Sequence, residues 1–277
     1  MKFSVLIAHY NNSKPFRDCY DSLQKQTYQN WEAVILDDCS KPEEKEAIKT
    51  MIADDSRFRY FENAQNSGVG VTKAKLIELA DGEICGFVDP DDAILPDAME
   101  KAVNIFENSP EVVLTYSRFM SCDENLKPIS AFKSARQVPN NDPYFFNFPV
   151  QIAHFVNFRK SIYETTTKMN PELKIAEDQD LYLKMYEKGK VKFIDEPNYL
   201  YRTHSGGISQ NENKKKSYEY WGKVIWDAMR RRGLKSINGQ KIPEKFTGSD
   251  EIFKLLEYQN ELKFRILKKV KLLFQNN

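Results

Sequence analysis

The chain has 277 residues, enough to bury one substantial core or two modest ones. An apolar fraction of 41% and a charged fraction of 29% exclude a disordered or fibrous chain. Lysine and arginine number 41 against 40 aspartates and glutamates, so a net charge of +1 offers no global field for nucleic acid, which is not expected as a partner.

The first apolar run, Val5-Leu6-Ile7-Ala8, is too short for a secretion signal, and no stretch approaches the roughly 18 apolar residues of a membrane span. A cytoplasmic protein is expected. Cys19, Cys39, Cys85 and Cys122 are scattered, with no CxxC pair and no histidine at metal-ligand spacing, so all four should be free, buried thiols.

Residues 3–8 are short, apolar and β-branched, and read as a strand. In 15–26, Phe16, Cys19, Tyr20 and Leu23 recur at helical spacing. Strand 31–36, helix 42–52 with Pro42 at its start, strand 58–61, helix 69–79 and strand 83–88 continue the alternation. Strands alternating with helices at this pitch predict βαβ units and a mostly parallel sheet, hence an α/β fold. Helix 96–108 and strand 112–116 follow. The stretch 118–176 is aromatic-rich and irregular, and its aromatics either fill core or stack on a sugar. Helix 178–188 is expected to end at Gly189 as its C-cap, followed by two short strands, 191–194 and 199–202. The polar, lysine-rich stretch 210–216 reads as a hinge leading to a helical tail that breaks near 239–243.

In open α/β sheets ligands bind beyond the carboxyl ends of the strands. Those ends carry His9-Tyr10-Asn11-Asn12, Asp37-Asp38-Cys39-Ser40, Asn66-Ser67-Gly68-Val69-Gly70 and Asp89-Pro90-Asp91-Asp92. A DxD pattern alone is weak, because about one arises by chance in a chain of this length, and a second stands at Asp178–Asp180. A turn and N-cap for the next helix would also account for Asp89–Asp92. Position favours chemistry: clustered carboxylates directly off an apolar strand suit Mg²⁺ or Mn²⁺ shared with a diphosphate. Neither GxGxxG after the first strand nor GxxxxGK[ST] is present, which removes the main support for a nicotinamide, flavin or P-loop enzyme. The Gly68 loop either aims helix amides at phosphate or eases a turn.

Five segments in order resemble the family-2 glycosyltransferases, whose fold is called GT-A: Ser4-Val5-Leu6-Ile7-Ala8-His9-Tyr10-Asn11, Ile35-Leu36-Asp37-Asp38-Cys39-Ser40, Asn66-Ser67-Gly68, Asp89-Pro90-Asp91-Asp92 and Ala176-Glu177-Asp178. The resemblance implies a Rossmann-like, mostly parallel sheet with flanking helices. It also implies inverting transfer of a sugar from a nucleotide-sugar, a UDP-sugar by family habit, to an acceptor hydroxyl with Mn²⁺ or Mg²⁺. On the matching positions, Asp38 meets the uracil, Asp89 the ribose, Asp91 the metal, and Asp178 is the general base. Glu177 is the alternative base, and Asp178 could instead be an N-cap. Ala8, Tyr10, Asn11, Asn66, Gly68, Lys73 and Pro90 complete the nucleotide-binding set, with Arg202 offering guanidinium donors to phosphate and His204 joining the metal shell.

By the same resemblance, residues 1–209 form the transferase domain, with a nucleotide-binding half (1–95) and an acceptor-binding half (96–209), and 210–277 form a helical extension. Surface-polysaccharide or lipid-linked glycan synthesis is the implied setting, with a glycan or lipid-linked acceptor. Two departures stand out. Lys73 occupies the place of an arginine common near the nucleotide base, keeping the charge but losing the planar fork. Cys39 replaces a common glycine, so that turn should need no positive φ. His9 and His154 read as structural.

Between 262 and 274, Lys263, Arg265, Lys268, Lys269 and Lys271 accompany Leu262, Ile266, Leu267, Val270, Leu273 and Phe274 with no acid among them. This segment is either an interfacial helix on an anionic membrane or a helix packed on protein with its lysines solvated. Two other readings of the whole chain compete: a sugar nucleotidyltransferase, which would want a Gly-rich basic loop after the first strand, and a catalytically silent nucleotide-sugar-binding module.

Overall fold

A computed structural model describes residues 1–203 and 214–275. Its first third alternates as the sequence predicts: β1 (Phe3–His9), α1 (Ser13–Gln24), β2 (Trp31–Asp37), α2 (Pro42–Ile52), β3 (Phe58–Glu62), α3 (Val69–Leu79) and β4 (Ile84–Phe87). A two-residue strand β5 (Ala93–Ile94), α4 (Ala98–Asn108), β6 (Val112–Cys122), β7 (Pro128–Ala131), β8 (His154–Arg159) and α5 (Lys160–Tyr163) follow. Then come α6 (Glu177–Tyr186) and β9 (Lys190–Arg202). The C-terminal part holds α7 (Lys214–Arg231), a hairpin of β10 (Ser236–Ile237) and β11 (Gln240–Lys241), α8 (Ser249–Leu256), a 3₁₀ turn (Glu257–Asn260) and α9 (Leu262–Gln275).

One sheet runs in the order β3-β2-β1-β4-β8-β6-β9-β5, with β7 paired to β6. The pairs among β1, β2, β3 and β4 are all parallel, so their carboxyl ends lie on one edge. Beyond β4 the sheet is mixed: β8 runs antiparallel to both β4 and β6, whereas β6 and β9 are parallel. This is the α/β architecture expected, with the parallel half first.

Strand alternation divides the core between the two faces. Phe3, Val5 and Ile7 of β1 pack with Phe16, Cys19, Ile48 and Met99, on the side of α1, α2 and α4. Leu6 points the other way, into a layer with Leu76, Leu181, Val224, Ile225, Ile252 and Leu256. With both faces covered, β1 and β2 are buried nearly throughout, which is why residues 5–8 and 33–36 read as continuous apolar runs without alternation.

Four expectations are corrected. Residues 118–176 contain the strands β7 and β8, the latter bringing Val156 and Phe158 into the core layer of Phe145 and Phe146, and Phe155 into the layer of Phe3 and Tyr199. The two strands expected at 191–202 are one, β9, whose pairing with β6 slips around Arg118, opposite Pro197. An irregularity there lets a proline sit in a long strand and hides its continuity from a pattern reading. Helix α6 ends at Tyr186 in right-handed geometry, and Gly189 is no C-cap; a Cβ on it would come within 2.4 Å of Val113 Cγ1. The polar stretch at 210–216 is not all hinge, since Lys214–Lys216 already belong to α7, while 210–213 lie outside the described residues. The break near 239 is the β10–β11 turn, Asn238 and Gly239 both having positive φ. Among the described residues, no helix is long and apolar enough to cross a membrane.

Candidate active site

The parallel register sets the carboxyl ends of β1, β2 and β4 side by side, with His9 paired to Asp37. A cavity of about 700 Å³ opens over these ends. Ala8, Tyr10, Asn11, Asp38, Asn66, Gly68, Lys73, Asp89, Pro90, Asp91, Asp178 and Arg202 all line it. His204 lies outside the described residues.

His9 holds the floor together. Its Nε2 accepts the Asn12 amide hydrogen bond (3.3 Å), so Nδ1 carries the proton donated to Asp37 Oδ2 at 2.7 Å, with both side chains buried. That is the structural role expected of it. Asn11, at φ +48°, accepts the Lys41 amide on its side chain while its own amide donates to Ser40 Oγ. Cys39 has φ +66°, which corrects the expectation that this turn needs no left-handed residue. The Asp38 amide donating to His9 O and the Ser40 amide donating to Asp37 bracket Cys39 and hold it there. Cys39 is also partly exposed, whereas Cys19, Cys85 and Cys122 are buried; all four are free.

Asp38 accepts three hydrogen bonds: from Asn63 Nδ2 (2.9 Å) and the Ser67 amide (2.8 Å) on Oδ1, and from the Gly68 amide (2.8 Å) on Oδ2. The Gly68 φ of +85° aims these amides at the carboxylate, which settles the Gly68 loop as a turn built around Asp38. Of roughly four lone-pair positions on the carboxylate, these bonds leave about one, on Oδ2. Gly70 is required for another reason, because a Cβ there would sit 2.4 Å from the Leu173 carbonyl oxygen, where α3 presses against the loop leading to α6.

The aspartates after β4 divide their tasks. Asp92 is buried and accepts from Tyr199 Oη (2.7 Å) and the Arg202 amide (2.7 Å). It therefore pins β9 at the cavity it helps to line, and it is not a helix cap, since α4 starts only at Ala98, after Asp97. Tyr199 Oη also accepts the Asp89 amide hydrogen bond at 3.1 Å. Burial, then the charges of Asp89 and Asp91, push the Asp92 carboxyl well up, and burial, then Asp92, Asp89 and Asp91, pushes up the Cys19 thiol. Both shifts register a strongly negative field around Asp89 and Asp91.

Arg202 is more engaged than expected. Its Nε donates to the Asp91 carbonyl (2.6 Å), one terminal nitrogen to the Glu124 carbonyl, and the other to Asp18 Oδ2 (2.6 Å). The guanidinium so fastens α1, the aspartate loop and β9 to one another, and no pattern in the sequence marks Asp18 for this.

Asp178 stands in the first turn of α6; the N-cap is Ala176, left-handed at φ +63°, so Asp178 is not the cap. Its Oδ1 accepts the Gln179 amide at 2.8 Å. Burial and the neighbouring Glu177 push Asp178 up to about 6, with Lys73 and Gln179 pulling the other way. Lys73 lies 2.9 Å from Glu177 Oε1, an ion pair whose side chains are 13% and 8% exposed. Lysine at this position therefore serves the acidic side of the cavity. A recess of about 170 Å³ continues inward from it, sharing Lys73, Asp89, Asp178 and Tyr201 with the cavity. Phe87, Val156, Met169, Tyr182, Tyr199 and His154 complete its walls. His154 was expected to be merely structural, yet it stacks on Tyr199 (4.7 Å between rings) in this wall, and burial pushes it down to about 4.

Among the described residues, no three carboxylate, histidine or cysteine side chains converge as a ready-made metal site. The carboxylates of Asp89 and Asp91, both lining the cavity, are nevertheless hard oxygen donors of the kind that a divalent cation takes.

Glycosyl transferase family 2 matches residues 4–167 of the chain. The chain belongs to this family. EpsH of Bacillus subtilis (strain 168) is 27% identical over 220 residues, covering 76% of this chain and 64% of that one. A chondroitin synthase of Escherichia coli is 26% identical over 232 residues, 84% of this chain and 33% of that one. The chain thus spans less than two thirds of the length of either relative. Among solved structures, S. aureus TarS 1–349 in complex with UDP-GlcNAc superposes with a TM-score of 0.69 at 21% identity, covering 83% of this chain and 66% of that one. At that identity the likeness bears on fold alone, and the fold is GT-A. Membership of this family removes the support for a sugar nucleotidyltransferase.

Proposed function

We propose that this glycosyltransferase moves a sugar from a UDP-sugar to an acceptor hydroxyl with inversion at the anomeric carbon. The observation carrying this reading is that Asp38, Asp89, Asp91 and Asp178, more than 130 residues apart at the extremes, line one cavity. The remaining acceptor position on Asp38 Oδ2 suits the single N–H of a uracil ring, and Asp89 is proposed to meet the ribose. The recess takes the sugar end of the donor, its apolar and aromatic walls suiting a sugar face while Asp89 and Asp178 mark its mouth. Asp178 receives the proton of the acceptor hydroxyl as the new bond forms on the face opposite the departing UDP. At a pKa of about 6 it is ionised at neutral pH yet more basic than an ordinary aspartate. Lys73 holds Glu177, so that Glu177 stabilises the site without competing as base. A divalent cation on Asp91 and the diphosphate would neutralise the charge developing on the leaving group.

A glycan or lipid-linked acceptor, in polysaccharide synthesis, agrees with the chondroitin synthase relative. A lipid-linked acceptor would bring the enzyme to a membrane face, and 262–274 is the segment suited to that contact. Four free cysteines suit the reducing cytoplasmic side of it. The transferase domain is proposed to run through 1–209, nucleotide-binding to 95 and acceptor-binding beyond.

Thermal shift with UDP-, GDP- and dTDP-sugars, with and without Mn²⁺, tests the reading. UDP-sugars should stabilise most, Mn²⁺ should add to the shift, and Asp91→Asn should abolish the Mn²⁺ increment. An increment surviving in that variant removes Asp91 as ligand; no response to any nucleotide sinks the whole proposal.

A further inference from the structure

Helix α9 meets the rest of the protein along one side only. Phe264, Lys268 and Leu272, at i, i+4 and i+8, are its partly buried positions. Lys268 Nζ donates to Gln151 Oε1 at 2.7 Å, and Lys271 pairs with Asp142 at 3.1 Å, which fixes the rotation of the helix on its axis. On the opposite side Leu262, Ile266, Val270 and Leu273 follow one another at i, i+4, i+8 and i+11, with exposures of 71, 52, 41 and 69%. Leu267, also on α9, is 54% exposed. Large exposed apolar side chains elsewhere among the described residues are isolated, at Tyr10, Ile129, Tyr144 and Tyr218. Five of the nine therefore fall on one 14-residue helix, a concentration that solvent alone does not explain. Exposed Arg265 and Lys269 border the stripe on one side and Lys263 on the other, and α9 contains no acid.

We propose that the outward face of α9 lies flat on an anionic lipid bilayer. Leu262, Ile266, Val270 and Leu273 enter the boundary between headgroups and acyl chains, while Lys263, Arg265 and Lys269 reach lipid phosphates. Charge selects this occupant. A second copy of the chain would bring two cationic rims together, which costs energy, whereas an anionic surface supplies counter-charge to the rim beyond what Glu261 gives Lys263 and Asp142 gives Lys271. The proposal gives the lipid-linked acceptor of the preceding reading a place to be met, but vesicle binding does not require that reading to hold.

The test is co-sedimentation of the full chain with vesicles of phosphatidylcholine alone or with about 30% phosphatidylglycerol, at about 0.1 M salt. Partitioning onto the anionic vesicles should be at least about tenfold stronger and should weaken severalfold at about 0.5 M salt. The exposed triple variant Ile266→Gln/Val270→Gln/Leu273→Gln should lose about tenfold, and Lys263→Gln/Arg265→Gln/Lys269→Gln should bring anionic binding down to the neutral level. All six side chains are exposed, so the melting temperature should not move. Equal pelleting with both vesicle types overturns the proposal, as does a solution dimer that the apolar triple variant dissociates. The UDP thermal shift is read on the same samples: its absence faults the nucleotide site, while its persistence without lipid binding faults only the membrane face.

Discussion

Asp178 and Glu32 are both carboxylates sheltered from water, yet their surroundings move them in opposite directions. Asp178 is raised from 3.8 to about 6 because burial and Glu177 outweigh Lys73 and Gln179. If it is the base, transfer rate should rise with pH through about 6 and level off above, and Asp178→Asn should lower transfer by about 10²–10⁴ while UDP binding persists. A flat profile between pH 5 and 7 removes it as base. The stability sign is opposite: the folded state binds this proton more tightly than the unfolded chain, so the carboxylate costs stability above about pH 6, and Asp178→Asn should melt no lower than the parent at pH 8. At Glu32, burial would raise the carboxyl, but hydrogen bonds from Lys2, Ser4, the Asp81 amide and Arg59 outweigh it and hold it at about 2. Glu32 thus stabilises the fold above pH 4.5, and that contribution drains away as pH falls toward 2. Glu32→Gln should cost about 1–3 kcal/mol at pH 7, with the difference from the parent shrinking across that acid window in denaturant titrations.

At the scale of elements, the site depends on supports lying outside its motifs. The aspartate loop is held from β9, through Tyr199 to Asp92 and through Arg202 to Asp91 and Asp18. Helix α6 is held from the loop before β8: the buried Asn147 side chain accepts the Gln151 and Ile152 amides and donates to Gln179 Oε1 at 2.7 Å, beside Asp178. Gln179→Met removes that anchor and the long side-chain hydrogen bond to Asp178 Oδ2 (3.4 Å), but keeps the backbone hydrogen bond to Asp178. Turnover should fall about tenfold with the donor KM unchanged, because small misplacements of a catalytic group are costly. A change in KM alone would show that Gln179 serves donor binding instead.

For the molecule as a whole, the C-terminal part is not an appendage of separate stability. Val224, Ile225, Ala228 and Met229 of α7 and Ile252, Leu255 and Leu256 of α8 belong to the core that includes Leu6 and Leu36 of the central sheet. Leu256→Ala should therefore lower global stability by about 2–5 kcal/mol. A single transition should be seen by far-UV circular dichroism and by tryptophan fluorescence alike. Two separated transitions would mean that the extension folds on its own.

Local pattern sufficed for some of this. The apolar runs of β1 and β2, the helical spacing of α2 and α3 and the aspartates after β4 were legible because each is a short-range consequence of burial on a doubly covered sheet. Strands β7 and β8 and the unity of β9 were not legible, because they depend on partners distant in sequence and on a slipped register around Arg118. Nor could spacing show that Asp92, which lines the cavity beside Asp91, is the one tied through its carboxylate to Tyr199 and the Arg202 amide of β9. The sequence by itself determined the fold class and the set of residues facing the crevice. Only the tertiary structure decided which carboxylates are consumed as struts and which face of α9 is turned outward, since both depend on what the rest of the chain brings against them.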